Sequence, residues 1–149
     1  MTSQEINDGG INEMKTLTVL LSLFYVSSAL GEDFKLINPR VLKIQDNVER
    51  TILDYSVADD LGMNQMLAPV GWTEPIVALG YELRGIVISG TLGLEFHSET
   101  VVFQVDQGFV IPSDTKVRIH NAGNTPLHLV EVLRPGHKDS LVTVFERFD

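Results

Sequence analysis

The sequence predicts an all-β domain, a sandwich or barrel of short antiparallel strands. Three observations predict it. Apolar and polar residues alternate in short runs from Gly71 almost to the end of the chain, turn-forming residues separate these runs at regular intervals, and no segment there has the 3.6-residue period of a useful helix. At 149 residues the chain is expected to form one domain with a single core.

The predicted strands can be followed in chain order. Residues 34–44, "FKLINPRVLKI", predict an edge strand with Pro39 at its margin. The stretch "ERTILDYSV" predicts a second strand, whereas "ADDLGMNQ" predicts a loop. Beyond Gly71 we predict strands within "PIVALGYELRGIVIS", "LGLEF", "TVVFQV", "GFVIP", "KVRIHN", "LHLVEVL" and "VTVFERF".

Composition excludes several classes of function. The formal net charge is -9 and the basic residues are scattered, so binding to nucleic acid or to anionic membranes is not expected. The chain has no cysteine, which excludes disulfides, thiolate metal sites and a cysteine nucleophile.

The first 31 residues predict an N-terminal extension with a signal peptide from Met14 to Gly31. Lys15 supplies a positive start, an apolar run of about ten residues follows, and small residues end the segment. Thirteen residues precede Met14, so translation could start at Met1 or at Met14. The alternative is a strand or helix packed on the domain. With cleavage, residues 32–149 would form a secreted or periplasmic protein; without it the protein would be cytoplasmic.

The segment from Tyr81 to Pro135 resembles the cupin superfamily. "IVISGTLGLEF" matches the end of the family's first motif, with Gly90 as its final glycine, and "FVIPSDTKVRIHN" matches the second motif, with Pro112 and Asn121. The resemblance is to small, single-domain, RmlC-like members. It implies a single antiparallel jelly-roll barrel over residues 32–149, with a non-barrel segment before it.

The family's metal-binding motifs are degenerate in this chain. The resemblance implies a glutamate and a histidine at positions that here hold Leu83 and Val117. The other two histidine positions fall on Val77 and Leu79, or on Ile76 and Ala78. Apolar side chains cannot ligate a divalent metal, so we expect neither a metal nor another cofactor. Two glycines of the second motif are also replaced, by Asp106 and Asp114.

Two polar residues interrupt the apolar run "PLHLVEV". Because side chains alternate between the two faces of a strand, His128 shares a face with Val130 and Val132, whereas Glu131 lies on the opposite face. If either face lines the barrel, it places a polar group among apolar ones. Burial raises the pKa of a carboxyl group, so Glu131 is the best candidate for a general base. His137, in the turn "RPGHKD", is expected to be exposed.

Three hypotheses of function follow. The first is a metal-free protein that binds a small, partly apolar molecule in its barrel without catalysis, unless side chains simply fill the interior. Its pocket would contain Trp72, Tyr81, Leu83, Val117 and Glu131. The second, implied by the resemblance, is a metal-independent isomerase or epimerase of sugar-type substrates, or a lyase, that uses Tyr81 with Glu131 or His128. The third is a metal-dependent dioxygenase with rearranged ligands.

The resemblance also implies a homodimer. Cupins commonly pair through outward-facing strand residues, and Ile86 and Ile88, with Arg84, form an apolar-rich outer set on one predicted strand.

Overall fold

The computed structural model describes residues 35–149, whose strands form two antiparallel sheets. The six-stranded sheet has the order β1-β2-β3-β10-β5-β8 and the five-stranded sheet the order β11-β4-β9-β6-β7. The strands are β1 Arg40–Gln45, β2 Glu49–Asp54, β3 Gly62–Ala68, β4 Ile76–Leu79, β5 Glu82–Ser89, β6 Leu92–Glu95, β7 Thr100–Phe103, β8 Gly108–Ile111, β9 Lys116–Asn121, β10 Leu127–Arg134 and β11 Val142–Phe145. A 3₁₀ helix, Asp139–Leu141, precedes β11.

The predicted all-β jelly-roll barrel is confirmed for residues 37–149, which form one compact unit. The predicted signal peptide and the choice between Met1 and Met14 lie outside the described residues. Within the described range, no helix is long and apolar enough to cross a membrane.

The core lies between the two sheets and follows the alternation of the strands. On β10, Leu127, Leu129, Glu131 and Leu133 are buried, whereas the residues between them are half-buried or exposed. The strands of the other sheet contribute inward-facing residues such as Leu92 and Val117. Each fully buried leucine contributes about 2 kcal/mol to stability, so this alternation sets the register of each strand.

One strand begins earlier than the sequence predicts. The stretch "ADDLGMNQ" is predicted to be a loop, but β3 already begins at Gly62 and places Asn64 and Gln65 in the middle of the six-stranded sheet. Pairing with β2 on one side and β10 on the other satisfies the backbone of these polar residues. The Gln65 Oε1 oxygen accepts a hydrogen bond from His128 Nε2 at 2.9 Å, while Asn64 lines the barrel interior. Tertiary pairing therefore overrides weak local strand propensity.

The loops of the second motif keep their shape without glycine. Asp106 and Asp114 have φ angles of 67° and 61°, the left-handed conformation that favours glycine but that aspartate tolerates better than most residues. The side chain of Asn121 bonds the carbonyl oxygens of Pro69 and Thr125 at 3.1 and 2.9 Å. These turns therefore adopt the left-handed conformation with aspartate in place of glycine.

The outer face of the six-stranded sheet carries several exposed apolar side chains. Ile86 and Ile88 are 49% and 43% exposed, and Val110 and Val132 are also exposed on neighbouring strands. This set includes the residues predicted to mediate a homodimer, which stays a prediction.

We expect Gly90→Ala to destabilise the domain more than Gly71→Ala, a control with the same backbone strain. The two glycines have φ angles of 81° and 79°. A Cβ atom at Gly90 would lie 2.6 Å from the Pro126 carbonyl oxygen, whereas one at Gly71 would meet nothing within 4 Å. The backbone term costs about 1 kcal/mol at both positions, and the clash should bring Gly90→Ala to about 2 kcal/mol. Urea-induced unfolding measures both; equal losses would contradict the close approach seen at Gly90.

Candidate functional site

Leu83, Val117 and one of the two alternative pairs at which the resemblance implies metal ligands, Val77 with Leu79, belong to one buried core cluster. The other pair, Ile76 with Ala78, is also apolar. Val77 on β4 pairs with Val117 on β9, and Leu79 and Leu83 line the central cavity. All four side chains are buried and none offers nitrogen or oxygen, so the residues do not fit a divalent metal. Among residues 35–149, no group of three His, Cys, Asp or Glu side chains could hold a metal ion.

The barrel encloses a cavity of about 530 Å³ that opens to solvent. Its inner wall is apolar and is formed by Ile44, Ile52, Met66, Leu79, Leu83, Ile119 and Leu133. Exposed residues, among them Ile37, Val57 and Asp59, mark the opening. A cavity of this size and lining suits a small organic molecule.

Glu131 is the buried carboxyl of this cavity. It lies in the middle of β10, between Asn64 on β3 and Gly85 on β5, and is only 6% exposed. None of the hydrogen bonds among the described residues involves its side chain. Burial raises its pKa to about 7; the Glu74 carboxylate also raises this pKa, and Arg50 opposes the increase.

A buried ion cluster flanks the cavity. Arg50 forms ion pairs with Glu74 and with Asp46, the latter at 3.2 Å between Nε and Oδ2. Burial raises the pKa of Glu74 above its ordinary value, while the Arg50 guanidinium acts in the opposite direction. Because the Arg50 and Glu74 side chains are only 15% and 11% exposed, removing either one would leave a poorly solvated charge without compensation.

Trp72 was predicted to line the pocket, but the structure places it outside the cavity lining. Its indole nitrogen donates to Asp46 Oδ2 at 2.8 Å, and the Arg50 guanidinium lies 5.0 Å from its ring centre. The Trp72 ring thus packs against the Arg50 guanidinium, and Arg50 lines the cavity. Val117 is likewise outside the lining, because its small side chain is covered completely by the core. Tyr81, Leu83 and Glu131 line the cavity. Which of the five predicted residues contact a ligand stays a prediction.

Tyr81 is the start of a hydrogen-bonded chain that leads to the surface. Its hydroxyl lies 3.2 Å from His137 Nδ1, and His137 Nε2 lies 3.2 Å from Asp139 Oδ1. A proton on Nε2 satisfies Asp139 and leaves Nδ1 to accept the proton of the Tyr81 hydroxyl. Burial raises the pKa of Tyr81 well above its usual value, with the Glu74 and Glu131 carboxylates adding to the effect, so the phenol stays neutral. His137 is exposed, as predicted, and lies among the residues that line the cavity.

His128 lies on the face opposite to Glu131 and does not line the cavity. Its Nε2 atom is 2.9 Å from Gln65 Oε1, across the β3–β10 pair. Of the two polar residues of β10, the structure therefore places Glu131 on the inward face. His128 is not positioned to act as a base in this cavity, and its candidate role stays a prediction.

Arg50, Glu74 and His137 are functional candidates that the sequence analysis missed. One signal was available for Arg50: within "ERTILD", residues 50, 52 and 54 share a face, and all three line the cavity. Glu74 and His137 sit outside the strands, where alternation gives no information. Their positions follow from pairings over 24 and 56 residues with Arg50 and Tyr81.

Comparison with known proteins supports the fold at low sequence identity. An RmlC-like cupin from Shewanella frigidimarina aligns with a TM-score of 0.58 and 15% identity over 74% of this chain and 96% of that chain. An RmlC-like cupin family protein with a double-stranded β-helix fold from Methanocaldococcus jannaschii gives 0.57 and 16%, over 70% and 94%. The EutQ protein of Clostridium difficile gives 0.51 and 20% over 58% of this chain, which spans 63% of that protein's length. No protein-family model and no curated protein matches the chain. The barrel of this protein, with its two antiparallel sheets, has the cupin fold.

Proposed function

We propose that this protein binds a small, partly apolar organic molecule in its barrel, without the help of a metal. The observation that carries the proposal is the buried Glu131 carboxyl, which faces a cavity of about 530 Å³ and has no hydrogen-bond partner among residues 35–149. Apolar walls with a few polar groups that converge on one space are the usual composition of a ligand site.

A purely structural barrel explains these features less well. A small barrel can be filled by its own side chains, but here leucines and isoleucines leave an open space beside a carboxyl group. A buried carboxyl without a hydrogen-bond partner lowers stability, and an apolar residue at position 131 would avoid this cost. A ligand that bonds the carboxyl would offset the cost in the bound state.

The proposal predicts that small molecules with an apolar ring and one polar group bind in the cavity. The full chain would be screened with a fragment mixture by ligand-observed NMR, and native mass spectrometry would detect co-purified molecules. Leu83→Trp should lower fragment affinity at least about tenfold, because an indole would occupy space inside the cavity. Arg84→Trp, on the outward face of the same strand, is the matched control and should leave binding unchanged. No bound mass and no fragment binding would contradict the proposal.

A second candidate is a metal-independent isomerase, epimerase or lyase. It is favoured by one observation, that Tyr81 and Glu131 line the same cavity. Glu131, with its raised pKa, would act as the base, and Tyr81 would act as the acid, with His137 able to replace its proton. Exchange of a carbon-bound hydrogen of a sugar-type substrate for deuterium, lost in Tyr81→Phe, would support catalysis over binding alone.

A further inference from the structure

Three polar groups around Glu131 have free capacity to accept hydrogen bonds, whereas the one buried donor of the described lining without a hydrogen bond, Arg50 Nε, faces the Asp46 carboxylate at 3.2 Å. The Glu131 carboxylate is an acceptor when ionised. The Tyr81 hydroxyl donates its proton to His137 Nδ1, which leaves its oxygen lone pairs for other donors. Among the described residues, the Asn64 Oδ1 oxygen, beside Glu131 on the neighbouring strand, is buried and has no hydrogen-bond partner. A ligand that satisfies these groups must bring donors.

The charges around the cavity are unbalanced in the same sense. The lining includes four carboxyl groups, at Asp54, Asp59, Glu74 and Glu131, and two guanidinium groups. Arg40 pairs with Asp54 at 2.7 Å and Arg50 pairs with Glu74, while Asp59 pairs with Lys138 at 2.9 Å outside the lining. The Glu131 carboxyl is left over after these pairings.

We infer that the ligand is a small primary amine with an apolar body, and that its ammonium group binds at Glu131 beside the Tyr81 hydroxyl. This inference rests on the proposed function and specifies its ligand class. An ammonium group offers three N–H donors and one positive charge, which match the acceptors and the uncompensated carboxylate. The apolar body would contact the Leu79, Leu83 and Ile119 wall. The net charge of -9 also favours the approach of cations over anions.

The inference is tested with three probes of one shape, benzylamine, benzyl alcohol and benzoate. Isothermal titration calorimetry on the full chain at pH 8 should give benzylamine an affinity at least about tenfold above that of the alcohol, because hydrogen bonds to charged groups are the stronger ones. Benzoate should bind weakest. The emission of Trp72, the single tryptophan, should follow occupancy, since its ring lies under Arg50 at the cavity wall.

The substitution Glu131→Gln should lower the affinity for benzylamine about tenfold and leave that for benzyl alcohol nearly unchanged, since Gln keeps the shape but removes the charge. Glu99→Gln, an exposed site with the same change, is the control and should have no effect. Benzylamine affinity should also rise from pH 6 to pH 8 in the wild type and lose this rise in Glu131→Gln. Glu74, Arg50, Tyr81 and His137 face the same cavity, so a pH dependence that disappears instead in His137→Gln would overturn the assignment to Glu131.

The remaining outcomes separate the two proposals. If the alcohol or benzoate binds as tightly as the amine, or if Glu131→Gln does not change the ratio of amine to alcohol affinity, the amine assignment fails and the binding cavity stands. If none of the three probes and no fragment binds, while Leu83→Trp and the wild type behave alike, both proposals fail.

Discussion

The difference in the free energy of unfolding between Glu131→Gln and the wild type is expected to favour the variant by about 3 kcal/mol more at pH 8 than at pH 4. In the folded protein the pKa of Glu131 is about 7, whereas an exposed glutamate has an ordinary pKa of 4.5. At pH 4 the carboxyl is protonated in both the folded and unfolded states and costs nothing as a charge. At pH 8 it is ionised in both, and the folded state bears the full cost of the buried charge.

Because folding raises the pKa of Glu131, the stability of the wild type changes with pH between the unfolded and folded pKa values. Between about pH 4.5 and pH 7 the folded wild type binds more protons than the unfolded chain, so its stability falls as pH rises through this range and is constant above it. The Glu131→Gln variant should not show the part of this decrease in stability that the Glu131 carboxyl causes. Glu74 has a pKa raised in the same direction, and its contribution is present in both proteins. Urea-induced unfolding at pH 4, 6, 7 and 8 measures the difference, with Glu99→Gln as the exposed control. Parallel pH profiles for Glu131→Gln and wild type would contradict the buried, unpaired state of this carboxyl.

Arg50→Met is expected to destabilise the protein by about 3 to 5 kcal/mol at pH 7, because it leaves the Glu74 carboxylate buried without its partner. The substitution also removes the guanidinium from the face of Trp72 and from Asp46. The loss should be smaller at pH 5 than at pH 7, because removing the guanidinium raises the pKa of Glu74 further and favours its neutral form. Chemical unfolding at both pH values provides the measurement.

Two variants make the Arg50 prediction specific to a buried ion pair. Arg50→Met combined with Glu74→Leu should recover most of the lost stability, because the pair is then replaced by apolar groups. Arg40→Met removes a similar ion pair with Asp54, but the Arg40 side chain is 72% exposed, so we expect a loss of less than about 1 kcal/mol. If Arg40→Met and Arg50→Met cost the same, or if the double variant is no better than Arg50→Met, the cluster does not act as described.

These two predictions bear on the proposed function. A carboxyl at Glu131 costs stability in the empty barrel, so a ligand that pairs with it should raise stability by more than the same ligand does in Glu131→Gln. The ion pairs of Arg50 with Asp46 and Glu74 stabilise one side of the cavity, and Asp46 and Arg50 both contact the Trp72 ring system. Unfolding free energies and ligand affinities of these variants are therefore two independent measurements on the same cavity.

Much of the fold could be predicted from the residues themselves. Alternation and turn chemistry predict the strands after Gly71, and the spacing from Gly90 to Asn121 predicts the barrel type. The same spacing also predicts that no metal ligands stand at the positions that the resemblance implies. Residues 83 and 117 are apolar, and so are both alternative pairs, 77 with 79 and 76 with 78. Asn64 and Gln65 were missed as strand residues because local composition there favours a loop.

The two-residue period of the strands is enough to predict an all-β barrel with an apolar interior, and it predicts that Glu131 and His128 face opposite ways. The inward position of Glu131, the packing of Trp72 against Arg50 and the contact between His137 and Tyr81 appear only in the folded protein. Alternation distinguishes the two faces of a strand, but it does not identify the residues that pack against each face. Those neighbours come from chain segments tens of residues apart, and they set the burial, the charge balance and the open hydrogen-bonding capacity of the cavity.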